Sequence, residues 1–222
     1  INGNDTTEGV LHISGANKTF SGAIGTTQAL TLIDVDNAAI FNGSIEATTL
    51  SVAASNYALA LNGAANVITN AVTFSNTGAL TLGDANTDSS TFNAGITATA
   101  PSGVTLAGTI QTSGDTISIG DGDTAITLAA NTIVDGNTAG AITLAGAING
   151  GYSLTLNTTG TTTLSAEIGG STALTTLTTN ASGTTVISVD ITTSSAQTYN
   201  DAVTFNGTLD FTGSTVQFVS TL

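Results

Sequence analysis

The stretch Ala79-Leu80-Thr81-Leu82-Gly83-Asp84 shows the pattern that decides the fold of this 222-residue chain. A short apolar–Thr–apolar segment is followed at once by Gly and Asp, two residues that favour turns. Because side chains alternate between the two faces of a β-strand, both leucines lie on one face and Thr81 lies on the other. The same phrase returns at residues 29–32, 125–128, 141–144 and 153–156. The repetition predicts many short strands, each buried on one face.

Short alternating strands of this kind are compatible with a sandwich, a barrel or a solenoid. Three observations favour the solenoid: the units resemble one another in sequence, only 5% of residues are aromatic, and the pattern runs from Val10 to Phe218 without a change in composition. Good helix formers such as Glu, Lys, Arg and Gln are scarce, so we expect essentially no helix. We therefore predict an all-β fold, a single continuous β-solenoid over residues 1–222.

The spacing of Leu11, Leu30 and Leu50 predicts the length of one coil. The two steps are 19 and 20 residues, and strands stack about 4.8 Å apart, so the chain would form about 11 coils and a rod roughly 50 Å long. Later spacings are irregular, so we expect turns of variable length between the strands. Asn side chains at the turns are expected to stack in ladders that satisfy backbone groups. The predicted inward residues are Leu11, Ile13, Leu30, Leu32, Leu50, Val52, Leu59, Leu61, Leu80, Leu82, Ile117, Ile119, Ile126, Leu128, Ile142, Leu144, Leu154 and Leu156.

The composition excludes several classes of function. The chain carries 15 acidic residues, one Lys and no Arg, for a net charge of -14, so it cannot neutralise phosphates and we expect no nucleic-acid partner. With no Cys and one His, it lacks the Cys and His ligands that zinc, haem and iron–sulfur sites commonly use. A mean hydropathy of +0.32 argues against disorder, and no apolar run approaches the roughly 18 residues of a membrane helix, so we expect no membrane insertion.

Three acidic segments are candidate calcium sites, although we expect no obligatory cofactor. Calcium takes six to eight oxygen ligands from carboxylates, amides and carbonyls on flexible loops. Asp and Asn are also favoured at turns simply because they bond their own backbone, and this second interpretation stays open. The candidate ligands are Asp121, Asp123, Asp34, Asp36, Asp84 and Asp88.

The acidic residues do not predict an enzyme. Asp121 and Asp123 would lie about 7 Å apart on one strand face, a separation compatible with the carboxylate pair of a glycosidase. However, no Arg, Trp or second His is present to orient a substrate. We therefore expect no enzymatic activity.

The outward faces carry Thr and the single histidine. His12 stands where other units have Thr, so we expect it to point to solvent, and a lone His does not predict a metal site. Rows such as Thr97-Ala98-Thr99 leave ice binding open as an alternative. The commoner apolar–Thr–apolar unit presents only one Thr column per face, which fits an ice lattice less well.

Two longer phrases resemble a known group of proteins. The phrase Ala196-Gln197-Thr198-Tyr199-Asn200-Asp201-Ala202-Val203-Thr204-Phe205 and the stretch 174–185 before it resemble repeats of giant bacterial β-strand-repeat surface proteins. Residues 66–82 are similar to repeats in large autotransporter surface-layer proteins. The resemblance is to the broad group of filamentous-haemagglutinin-like exoproteins and autotransporter passengers. It implies a secreted, right-handed β-helix used in adhesion, aggregation or surface coating.

We therefore expect an extracellular or cell-surface protein with a structural or adhesive role. No polar cap is visible at Ile1–Asp5 or Gln217–Leu222, so terminal strand edges would be free to pair. Either the solenoid is part of a longer polypeptide, or its ends join other copies. We expect the partner to be the protein itself, joined head to tail or laterally into a filament or layer. The alternative is a monomeric adhesin stalk that binds a surface or matrix glycan.

Overall fold

The computed structural model describes residues 1–5 and 9–220 and shows a parallel β-solenoid of about ten turns. The strand pairings in these ranges are parallel, and the ranges contain no helix, hence none that could span a membrane. The all-β solenoid predicted from the repeated phrase is confirmed. The right-handed sense of the coil stays a prediction.

The described residues contain 25 strands, most of them three to five residues long. They are β1 (Val10–Ile13), β2 (Lys18–Phe20), β3 (Leu30–Val35), β4 (Ala39–Phe41), β5 (Glu46–Val52), β6 (Leu59–Leu61), β7 (Ala65–Ile68), β8 (Val72–Thr73), β9 (Leu80–Leu82), β10 (Ser89–Phe92), β11 (Ile96–Ala98), β12 (Gly103–Gln111), β13 (Ile117–Ile119), β14 (Ala125–Asn137), β15 (Ile142–Leu144), β16 (Ala147–Asn149), β17 (Leu154–Thr158), β18 (Thr161–Leu164), β19 (Leu177–Thr179), β20 (Thr184–Ile187), β21 (Ile191–Thr192), β22 (Ala196–Tyr199), β23 (Ala202–Phe205), β24 (Phe211–Thr212) and β25 (Thr215–Phe218).

Successive strands fall into three parallel ladders, which we call faces 1, 2 and 3. Face 1 runs from β1 through the second halves of β3 and β5 to β8, β11, β13, β15, β18, β20 and β23. Face 2 contains β2, β4, β6, β9, the first parts of β12 and β14, β16, β21 and β24. Face 3 begins with the residues around Ile24 and the first residues of β5, and continues through β7, β10, the later parts of β12 and β14, β17, β19, β22 and β25.

The long strands β12 and β14 run across the corner between faces 2 and 3. The register of this pair shifts between Leu106 and Gly108. Gly108 has a φ of +71°, in the left-handed region that side chains disfavour. A Cβ atom there would also lie 2.2 Å from the backbone oxygen of Asp88 in the neighbouring coil. The corner is therefore tight enough to require glycine.

The coil length varies more than the sequence spacing suggested. Leu11 pairs with Ile33 rather than Leu30, and Ile33 pairs with Leu50 only 17 residues later. Between β13 and β15 the offset is 25 residues, as in the pair Ser118–Thr143. The first two steps are therefore 22 and 17 residues rather than 19 and 20. The expected turns of variable length are confirmed, because they connect strands that must stay in register.

The core is a continuous apolar column inside the coil. All the predicted inward residues are buried except Leu11 and Leu32, which are only partly buried. Leu32 was assigned to the wrong face, because β3 crosses a corner after Leu30 and its inward residues become Ile33 and Val35. Leu11 does stand in the inward column with Ile33. It is only partly buried because, among the described strands, β1 pairs with β3 alone.

Polar side chains at the corners connect successive coils. Asn62 Nδ2 donates to Asn42 Oδ1 at 3.3 Å, a ladder step of the expected kind. The buried Asn66 accepts from the backbone N–H of Ile45 and donates to Ser90 Oγ, at 3.1 Å in each case. At the corners, asparagine side chains thus supply hydrogen-bond partners to backbone groups that the turns leave unpaired.

Candidate functional site

The predicted calcium ligand Asp121 closes its own turn. Its Oδ1 accepts hydrogen bonds from Thr124 Oγ1 at 2.7 Å and from the Asp123 backbone N–H at 3.1 Å. These two bonds hold the pKa of Asp121 below its ordinary value. The geometry shows the turn-forming role of this aspartate, and calcium binding here stays a prediction.

The second predicted pair, Asp84 and Asp88, also forms a turn. Asp88 Oδ2 accepts from the backbone N–H groups of Asp84 and Ala85, both at 2.9 Å. Partial desolvation raises the pKa of Asp84, and the hydrogen bond and charge of Asp88 raise it further. Two carboxylates meet here, but among the residues described no third acidic or histidine ligand joins them.

The third predicted pair lies beside the single histidine. His12 Nε2 is 2.7 Å from Asp36 Oδ2 and 3.8 Å from Asp34 Oδ2. The hydrogen bond to Asp36 and the charges of both carboxylates raise the pKa of His12, against a smaller opposing effect of desolvation. His12 points outward with 52% of its side chain exposed, as predicted. One turn of the coil thus brings His12 next to Asp34 and Asp36, which the sequence analysis had treated separately.

Each strand of face 1 contributes one outward residue to a continuous column, and the longer strands contribute a second, as Thr161 does beside Thr163 in β18. Hydroxyl side chains dominate the middle of the column. On β18 they are paired, so the expectation of single Thr columns does not hold there. The column contains His12, Asp34, Ser51, Thr73, Thr97, Ser118, Thr143, Thr163, Val186 and Thr204.

At the N-terminal end of the coil, β1 and β2 are edge strands. The backbone oxygen of Ile1 accepts from Gly25 N–H at 2.7 Å, and its amino group donates to the Ala23 oxygen, so the first residues run along face 3. Val10 is 65% exposed. Lys18 lies in β2, so the only lysine and the only histidine of the chain both stand on this edge.

The C-terminal end carries a cluster of four aromatic rings. Tyr199 stacks on Phe218 with ring centroids 4.9 Å apart. Phe211 contacts Tyr199, Phe205 and Phe218 at 5.6–6.1 Å. Phe205 remains 37% exposed and Val219 56% exposed. The predicted absence of a cap is untested at Thr221 and Leu222, which lie outside the described residues.

Sequence analysis did not single out this aromatic cluster. The available signal was that three of the seven phenylalanines of the chain fall between residues 205 and 218. A low average aromatic content concealed this local concentration. The spacing could not show that the three side chains share one end of the coil, because that depends on the register of the last two turns.

Residues 174–185 and 196–205, two of the segments that carry the family resemblance, lie in adjacent coils and bond to each other. Asp201 is 3% exposed, and each of its carboxylate oxygens accepts a hydroxyl bond at 2.6 Å, one from Thr179 and one from Thr185. The phrase residues thus serve internal cohesion, since the polar atoms of Asp201 are directed into the coil and not to a ligand.

The same phrase contributes a second buried bond network. Gln197 Nε2 donates to the backbone oxygens of Ile191 and Thr212 at 3.1 and 2.9 Å. The Tyr199 hydroxyl donates to Gln197 Oε1 at 3.0 Å, and burial raises the pKa of this hydroxyl. The last coils are therefore cross-linked by polar groups as well as by aromatic contacts.

Comparison of the chain with models of protein families, with curated proteins and with solved structures gives no match. The candidate functional features are thus the two ends of the solenoid, its outward columns and the cluster around His12.

Proposed function

We propose that this chain is an extracellular structural rod that joins to copies of itself head to tail. The observation that carries the proposal is the partly exposed aromatic cluster on the C-terminal edge. The extracellular location is supported by the 7% content of charged residues, far below the quarter of an ordinary soluble domain, and by the resemblance to bacterial surface exoproteins.

The C-terminal edge offers both backbone and apolar groups to a partner. Within the described residues, β23, β24 and β25 each pair with a strand on one side only. An edge strand presents unpaired N–H and C=O groups to any further strand. A further coil would bond to these groups and cover the exposed part of Phe205. Backbone pairing and apolar burial thus favour the same contact.

The N-terminal edge presents the same three faces to such a contact. Face 1 begins with β1 and face 2 with β2, while Ile1–Gly3 runs along face 3 through bonds to residues 23–28. A second copy stacked on the C-terminal edge would place these segments on β23, β24 and β25. The contact joins two different surfaces, so its repetition gives an open filament and not a closed dimer.

Charge favours the same pairing. Lys18 is exposed in β2, and the exposed Asp210 directly precedes β24 on the same face. Continuing the face 2 ladder from one copy to the next brings β2 onto β24, so the two charges come near each other, with Lys18 at an inward position of the ladder and Asp210 at an outward one. An attraction between opposite ends increases the specificity of head-to-tail contact more than its strength.

Sedimentation velocity over a wide range of micromolar concentrations tests the proposal. The wild-type chain should grow in size with concentration. Phe205→Ser should remain monomeric with an unchanged far-UV circular dichroism spectrum. The matched control is Tyr152→Ser, which removes a 42% exposed aromatic side chain from the middle of the rod and should assemble like wild type.

Two results would contradict the proposal. One is a wild-type chain that stays monomeric at every concentration, which would favour the monomeric adhesin stalk and call for a glycan-binding screen. The other is equal assembly of wild type, Phe205→Ser and Tyr152→Ser, which would place the contact away from the C-terminal edge.

A further inference from the structure

We propose that His12, Asp34 and Asp36 bind a divalent transition-metal ion of the zinc type. The donor atoms of the three side chains lie within 4.8 Å of one another. Zinc–ligand distances of about 2.0–2.2 Å place two ligands of a tetrahedral ion roughly 3.3–3.6 Å apart. The observed 2.7 and 3.8 Å separations from His12 Nε2 bracket that value, so small side-chain rotations suffice.

The backbone holds the three residues in place. His12 and Asp34 are direct partners in the parallel ladder between β1 and β3. Asp36 follows β3, and its backbone N–H donates to the Ile13 oxygen at 3.0 Å. Because His12 and Asp34 stand on paired strands and Asp36 is held by this backbone bond, little backbone entropy is lost when an ion binds.

The donor set selects the class of ion. Calcium prefers six to eight oxygen ligands, whereas an imidazole nitrogen with two carboxylates suits zinc and its neighbours among the transition metals. Three protein ligands leave a fourth tetrahedral position for water. The net charge of -14 raises the local concentration of any cation at the surface. By contrast, the Asp121 turn offers no nitrogen and already uses its carboxylate within the turn.

The position of the site gives the ion a structural consequence. His12 belongs to the edge strand β1, and both aspartates belong to the next coil. An ion bound to all three residues joins the first strand of face 1 to the second. Because it binds only the paired arrangement, it stabilises that pairing by an amount that grows with the logarithm of its concentration relative to its dissociation constant.

The direct test is titration of the tag-free, chelator-treated 222-residue chain with Zn²⁺, followed by calorimetry and by NMR of the imidazole. His12 is the only histidine, so its ring resonances report the site without assignment ambiguity. We expect one ion per chain, a large shift of the Nε2 resonance, and slower hydrogen exchange in β1 but not in β23. An equal concentration of Ca²⁺ should not displace the zinc.

Variants separate this site from general attraction to an acidic surface. His12→Asn and Asp36→Asn should each weaken zinc binding at least tenfold, whereas Asp121→Asn, which removes an exposed carboxylate elsewhere, should bind like wild type. Circular dichroism confirms that each variant is folded, and the NMR test on wild type needs no variant. Unmoved imidazole resonances, wild-type affinity in His12→Asn, or displacement by equimolar Ca²⁺ would overturn the proposal.

Discussion

The two ends of the solenoid share one backbone pattern and differ in their side chains. At the N-terminal end, a single aromatic pair, Phe20–Phe41, stacks at 5.0 Å, and the edge carries His12 and Lys18. At the C-terminal end, Tyr199 and three phenylalanines form one mutually contacting cluster. Both edges present unpaired backbone groups of the same kind, so it is the edge side chains that give each end its own chemistry.

The charge on the N-terminal edge also makes that edge selective. Lys18 pairs with the buried Ala39, so it stands at an inward position of an edge strand. A charge in such a position discourages indiscriminate strand pairing. In the proposed assembly, a partner edge that supplies an acidic residue and apolar surface, as the C-terminal end does, would then be preferred over other strands.

The largest effect is expected from the buried carboxylate near the C-terminal end. Asp201→Ala leaves the hydroxyls of Thr179 and Thr185 without their acceptor, which should cost about 2–4 kcal/mol of unfolding free energy. The control Asp210→Ala removes an exposed carboxylate and should change stability by less than about 0.5 kcal/mol. Denaturant unfolding followed by circular dichroism measures both. Equal midpoints for the two variants would show that the last coils do not depend on this network.

A smaller difference should separate the aromatic contacts of the two ends. Phe211 contacts three other rings, whereas Phe20 contacts only one of the described rings. At about 0.5–1.5 kcal/mol for each aromatic pair, Phe211→Ala should destabilise the chain by roughly 1–3 kcal/mol more than Phe20→Ala. The comparison is best made on monomeric protein, by hydrogen exchange of the terminal strands. If Phe20→Ala loses more stability than Phe211→Ala, the N-terminal end and not the C-terminal end is the more stable one.

A weaker effect is expected from charge at the contact between copies. Lys18→Asp should reduce assembly by less than about tenfold, because exposed ion pairs contribute about 0.2–1 kcal/mol. The double variant Lys18→Asp with Asp210→Lys should regain assembly, since it exchanges the signs of the two ends. Sedimentation at low and high salt measures both effects. If the double variant is no better than the single one, the two residues do not meet.

The smallest effect is expected midway along the rod, where the ionisation of Asp121 makes the stability depend on pH. This position serves as a reference for both ends. Hydrogen bonds from Thr124 and the Asp123 backbone lower the pKa of Asp121 below its ordinary value of 3.8. A lowered pKa gives stability that is present above the ordinary value and is lost as the pH falls through the lowered one. Thr124→Val should therefore raise the Asp121 pKa measured by carboxyl NMR. An unchanged pKa would mean that the turn bond is absent in solution.

The sequence predicted the fold because the alternation around Thr81 is local, and it predicted the buried face of most strands for the same reason. It failed where strands cross corners. The inward residue shifts from Leu30 to Ile33 within one strand, and no periodicity in the sequence marks that shift. The sites depend on this register, because His12 meets Asp34 only through a 22-residue pairing. Similarly, only the stacking of two coils brings Thr185 to Asp201.

Electron microscopy of the purified chain at high concentration tests the head-to-tail contact most directly. Ten turns at a strand spacing of about 4.8 Å give each copy a length of roughly 48 Å. The account predicts polar filaments one coil wide, with an axial repeat near that length and with Phe205 at each junction. Separate rods of about that length at every concentration, or filaments whose copies join side by side, would contradict it.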